Sequence, residues 1–288
     1  MMRSLFSAIS GLRAHQTMLD VTANDIANVN TVGFKSSRTT FKDALSQLQT
    51  GASGPSTSLG GTNAQEIGLG VQLGAVQNQM GAGAIQSTGN TLDLAIQGTG
   101  WFRVAGIQAA GTPPTFGTVY YTRAGNFTTD ANDHLVTQEG DYVLGHDATA
   151  QGPPPTFGAT DDVITVPTDA TSLSIGQDGV VSYVDPTTGN TVALAQITLA
   201  RFPNEEGLQS AAGTKYEQSP NSGAPTVGVP GDTNGLGTLA SGSLEMSNVD
   251  LAEEFTNMIE AQRGFQANGR VITTADQMLQ TLVQLGQG

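Results

Sequence analysis

Cysteine is absent from the 288 residues. That removes thiol nucleophiles, disulfides and Cys-based zinc sites, and it suits a chain that crosses membranes unfolded. Charge is sparse as well. Asp, Glu, Lys and Arg make up 12% of the chain, about half the usual share. The 25 acids against 11 bases leave a net charge of −14. Neutralising phosphates takes clustered Lys and Arg, so nucleic acid is not an expected partner. No Lys or Arg occurs from Ala124 to Ala200, which predicts an acidic, solvated surface there. No apolar run approaches the length of a membrane span, and Arg13 and His15 interrupt the N-terminus before a Sec-type apolar core can form.

Recognisable reaction chemistry is missing too. His15, His134 and His146 lack metal-ligand spacing, and Asp130, Asn132 and Asp133 lack the pattern of an EF-hand. Gly68-Leu69-Gly70-Val71-Gln72-Leu73-Gly74 is one residue too long for a dinucleotide loop and leads into a strand. Gly98-Thr99-Gly100 has no lysine to make a P-loop. No Ser-Gly pair has the nucleophile-elbow pattern. The expectation is a non-enzyme with no cofactor and no metal.

What the chain does have is a pair of apolar ladders at its ends. Leu5, Leu12, Leu19 and Ile26 recur every seven residues, and so do Leu251, Met258, Phe265, Ile272 and Leu279. A repeat of seven keeps one stripe on one side of a helix. Helices are predicted over 4–28 and 249–285, with Ser247 as N-cap of the second and Asp250 reaching back. Ile9, Phe255 and Leu282 extend the apolar faces. The two stripes can cover each other, which would bring the termini together. Gly11, Gly264 and Gly269 weaken both helices, and a long weak helix needs neighbours. One short partner cannot cover all of the second helix, so the remaining surface is expected to meet other copies of the chain.

Between the helices the period changes. Short apolar runs such as Val71–Val76, Leu92–Ile96, Trp101–Val104, Val119–Arg123, Tyr142–Leu144, Val180–Val184 and Val192–Phe202 are separated by Gly, Asn, Asp or Pro. That spacing predicts antiparallel strands. The expected class is α+β. Residues 1–30 with 247–288 form a helical polymerisation domain with a coiled-coil-like pairing. Residues 31–75 form a linker or extended arm, and 76–246 a β-rich outer domain with a possible subdomain at 146–190. Gln151–Pro155 reads as a hinge.

Several motifs then resemble one family in order along the chain. Asn24-Asp25-Ile26-Ala27-Asn28, followed by Thr31, Gly33, Phe34 and Lys35, is similar to the N-terminal signature of flagellar rod and hook axial proteins. Asp93 to Phe102, with Gly98 and Gly100, resembles the family's D-x-A-I-x-G-x-G-F-F strand pair, Trp101 replacing Phe. Tyr121-Thr122-Arg123-Ala124-Gly125-Asn126-Phe127 and Gly176-Gln177-Asp178-Gly179 resemble its turns. Ser247-Asn248-Val249-Asp250, Ala261-Gln262-Arg263, Thr274, Asp276, Gln277 and Leu279 resemble its terminal helix.

The resemblance implies a structural subunit that polymerises with itself, leaves the cell through the flagellar type III export apparatus, and works in the hook or basal body outside it. Implied neighbours are the distal rod protein, the hook–filament junction protein and the hook cap protein. Within the family, the opening of the terminal helix and the stretch from Gly51 to Gly68 resemble hook proteins. The short middle resembles the distal rod. The hook is the favoured expectation, a flexible joint that transmits torque, and the rod is the alternative. A secreted binding module or hydrolase on a helical stalk is the rival of a different class.

Overall fold

The computed structural model describes residues 2–55, 60–109, 115–150, 155–167, 171–185, 189–232 and 235–286. The fold is α+β, with two helices and an antiparallel β middle. Two compact units emerge. One gathers Met1–Ala27, Ser36–Gln79 and Val249–Gly288, and the other Asn28–Lys35 and Met80–Asn248. The segment expected as a linker is therefore divided between them.

In the first unit, helices α1 (Met2–Ala27) and α2 (Leu251–Leu285) pack on each other. Strands β1 (Ser37–Asp43), β2 (Ser46–Thr50), β3 (Gln65–Gly68) and β4 (Val71–Asn78) form two antiparallel pairs, β1 with β4 and β2 with β3. The cap of α2 differs from expectation. Asp250 is the N-cap, and its carboxylate accepts from the Ala252 N–H at 2.8 Å and the Glu253 N–H at 3.4 Å. A carboxylate also complements the positive end of the helix dipole, which the Ser247 hydroxyl cannot do.

The second unit holds β5 (Ile85–Ser87), β6 (Leu94–Gln97), β7 (Trp101–Ala109), β8 (Thr115–Thr122), β9 (Thr128–Thr129), β10 (Leu135–Val136), β11 (Tyr142–Ala150) and β12 (Thr156–Val163). It continues with β13 (Thr171–Ile175), β14 (Val180–Val184), β15 (Thr191–Ile197), β16 (Leu199–Arg201), β17 (Gln209–Ser210), β18 (Lys215–Glu217), β19 (Thr226–Gly228), β20 (Thr238–Ser241) and β21 (Ser243–Glu245). The main sheet runs in the order β13-β14-β15-β11-β7-β8-β18-β17. Strands β11 to β15, which cover most of the expected subdomain at 146–190, belong to this sheet and continue it. Most of the expected hinge, residues 151–154, lies outside the described residues.

Alternation along β7 gives the sheet two buried faces. Phe102 and Val104 join Leu94, Ile96, Phe127 and Ile197 on one side. Trp101 joins Tyr121, Phe202 and Tyr216 on the other. The aromatics meet edge to face: Phe102 with Phe127 at 5.1 Å, Tyr121 with Phe202 at 4.7 Å. A sheet covered on both faces supplies the large core that a chain with few aromatics needs.

Candidate assembly surface

In the helical unit small residues are buried on both helices. Ala8, Gly11 and Ala14 are buried on α1, and Ala261 and Ala275 on α2. A Cβ on Gly11 would lie 2.6 Å from Asn268 Nδ2, and one on Gly264 would overlap the His15 ring. The helices therefore approach closely where side chains are absent.

This arrangement displaces the large apolar residues to the flanks. Leu5, Leu12, Leu19, Ile26, Met258, Ile272 and Leu279 are half-buried, while Ile9, Leu251, Phe255, Phe265 and Leu282 are exposed. Phe6 and Phe255 are 64% and 51% exposed, and Ile259, Val271 and Met278 join them in the open. Leu251, Phe255 and Ile259 are spaced i, i+4, i+8, one continuous stripe on α2. The ladder of the second helix is thus split: Ile272 and Leu279 line one hollow with Leu5, while Leu251 and Phe265 are exposed. The buried or closely approached residues of α2, Ala261, Gly264, Asn268 and Ala275, carry a weaker signal: small side chains at intervals of three, four and seven.

The motif Asn28 to Lys35 does its work in the β unit. The Thr31 hydroxyl donates to Asn28 Oδ1 at 3.0 Å, and the Thr31 N–H to the Asn28 carbonyl at 3.0 Å, closing a turn. Phe34, half-buried, donates its N–H to the Thr31 carbonyl. Gly33 has φ +69° and donates its N–H to the Glu245 carbonyl at 2.8 Å. A side chain there would be strained and would overlap the Ala124 backbone nitrogen. Lys35 then enters the interior. Its Nζ donates to Glu245 Oε1 at 2.6 Å and to the Gly81 carbonyl at 2.8 Å. Glu245 also accepts from the Gly83 N–H at 2.9 Å and from Arg123 at 3.1 Å. Burial pushes the Lys35 ammonium down from its ordinary pKa, and Glu245 opposes that shift. Arg123 further donates to the Gly98 carbonyl at 3.1 Å and lies over the Trp101 ring at 5.3 Å.

This ionic clasp joins the segment after α1 to the strand that precedes α2. Sequence reading missed Glu245, because 210 positions separate it from Lys35. The remaining motif residues are structural. Gly98 and Gly100 have φ +116° and +133° between β6 and β7, and Gly125 lets its backbone approach the Leu94 carbonyl. Asp178 accepts from the Val180 N–H at 3.3 Å in the turn that Gly179 completes. Asn24 and Ala27 lie exposed at the end of α1. Among the described residues there is no cluster of metal-ligating side chains, and no helix is long and apolar enough to cross a membrane.

Comparisons with known proteins agree with this framework. Residues 5–35 match the family described as "Flagella basal body rod protein", 95–183 the "Flagellar hook protein FlgE/F/G D1 domain", and 240–285 the "Flagellar basal body rod FlgEFG protein C-terminal". The chain belongs to the flagellar basal-body rod and hook protein family, and it is a structural component of the flagellum, not an enzyme. It is 49% identical over 286 residues to the flagellar basal-body rod protein FlgG of Bacillus subtilis, covering 99% of both chains. It is 39% identical over 279 residues to the FlgG of Agrobacterium fabrum, covering 96% of this chain and 97% of that one. The flagellar hook protein FlgE of Borreliella burgdorferi is 29% identical, covering 99% of this chain and 100% of its own. That last alignment extends over 453 positions, far more than the residues of this chain. The relatives therefore support the rod alternative better than the favoured hook expectation. The opening of α2 and the glycine-rich stretch had weighed toward the hook, and the short middle was the better discriminator.

Proposed function

We propose that this chain is a subunit of the distal rod of the flagellar basal body, polymerising through its terminal helices into a stiff tube. The observation that carries the reading is end-to-end similarity to proteins named as rod proteins, with no long stretch missing or added. The exposed flanks of α1 and α2 favour assembly. Leu251, Phe255 and Ile259 form one exposed apolar stripe on α2, and contiguous apolar surface of this kind marks an interface.

The apolar stripe at the start of α2 differs from the groove lined by Phe6, Ile9, Arg13 and Leu73 on α1 and β4. Contacts between unlike patches generate helical filaments when their rotation does not close into a ring. Export through the flagellar type III apparatus, unfolded and without cysteines, belongs to the same proposal, and the principal partner is a second copy of the chain. Electron microscopy of the concentrated full-length protein tests the choice within the family. Straight, unbranched tubes are expected. Tubes that curve and supercoil would return the assignment to the hook.

A further inference from the structure

Asp25 lies on the buried face of α1, within the helical unit. It is 0% exposed. Its Oδ2 accepts one bond, from the Ser37 N–H at 3.0 Å, and its buried Oδ1 has no partner. Apart from that amide, the groups that face it offer no compensation. From α2 comes Glu254, a second acid, with Glu253 and Asp250 acting on it in turn. From β1 comes the Ser37 amide, and that strand's own charges are Arg38, Lys42 and Asp43. Strand β4 carries no charge. Among the described residues no cation is paired with Asp25. An ionised carboxylate with an orphan oxygen, opposite another acid, is the unfavourable form, whereas the neutral acid is tolerated and has a proton to donate.

We propose that Asp25 is a proton-binding site that couples the packing of the helical unit to pH: the carboxyl is protonated when α1 lies on α2, and its ionisation loosens the pair. Burial, reinforced by Glu254 and opposed by the Ser37 bond, pushes the Asp25 pKa from 3.8 up to about 6. Burial also raises Glu254. A carboxyl whose folded pKa exceeds its unfolded value stabilises the fold fully below the unfolded pKa. That contribution is lost as pH rises through the folded one. The window is therefore from about 4 to above about 6, and a displacement of about two pH units corresponds to about a hundredfold in the opening equilibrium. The proposal concerns a single chain and does not depend on the rod reading.

Asp25→Asn keeps the shape and removes the titration. Amide exchange of the full-length protein between pH 5.5 and 8, corrected for intrinsic exchange and referred to the β unit, reads the effect. The wild-type α1 and α2 amides are expected to lose protection, by about fourfold over this range, relative to the β unit as pH rises, and the Asp25→Asn amides to stay level. A flat wild-type profile, or an unchanged slope in Asp25→Asn, overturns the proposal. A Glu254→Gln control that alone abolishes the slope would move the proton to Glu254 and overturn it equally. Carbon-13 titration of the Asp25 carboxyl is the second measurement, with a midpoint near 6 expected. A midpoint at the ordinary aspartate value would contradict the proposal.

Discussion

Removing Glu245 should unfasten the β unit, and the size of the effect follows from its three partners. Glu245 is 1% exposed and neutralises Lys35 and Arg123, whose side chains are 0% and 2% exposed. Glu245→Ala leaves both cations in the interior without a bonded counter-charge, Glu205 acting on them only through space, and frees the Gly83 N–H and one donor on each cation. Breaking a buried ion pair by deleting one partner costs about 3–5 kcal/mol, mostly as the penalty of the stranded charge. Lys35→Met should cost less, about 1–3 kcal/mol, because Glu245 keeps Arg123 and the Gly83 N–H.

The chain's single tryptophan makes the assay direct. Trp101 is buried in the same unit, under the Arg123 guanidinium. Its fluorescence during guanidinium unfolding, with midpoint and slope fitted separately, gives the two stabilities. For a unit of this size the Glu245→Ala loss corresponds to a fall in melting temperature of roughly 10 °C. A loss below about 1 kcal/mol for Glu245→Ala, or a larger loss for Lys35→Met than for Glu245→Ala, would refute the view that Glu245 is the shared counter-ion of two buried cations.

Two other perturbations probe separate elements. Gly33→Ala forces a side chain into a left-handed conformation and against the Ala124 backbone, so it should destabilise the β unit by at least about 2 kcal/mol in the same fluorescence assay. Asp250→Ala removes the cap of α2 and should cost about 1 kcal/mol, seen as faster amide exchange at Ala252 and Glu253 with the Trp101 transition unmoved.

What the sequence revealed depended on how far each signal reaches along the chain. Strand Val180–Val184 was legible because three valines and a tyrosine lie between a turn glycine at Gly179 and an aspartate at Asp185. Both helices were legible from the seven-residue period. Their mutual face was only partly so, since large leucines dominate any apolar pattern while the close approaches fall where Gly11 meets Asn268 and Gly264 meets His15. The strands from Ser37 to Thr50 read only as part of a linker or extended arm: β2 is exposed along its whole length and has no apolar alternation to mark it. The clasp was half visible. Lys35 and Arg123 lie inside motifs, but nothing local indicates that both converge on Glu245, and nothing in Asn24-Asp25-Ile26 shows that one carboxyl of the motif is fully buried.

The measurement closest to the central claim compares the wild-type full chain with a Phe255→Ser, Ile259→Ser double variant by sedimentation velocity and electron microscopy across a concentration series. If the open flank of α2 exists to be covered by another subunit, the wild type forms tubes, while the variant remains monomeric with an unaltered Trp101 unfolding curve. A variant that assembles at the same concentration as the wild type would contradict the account.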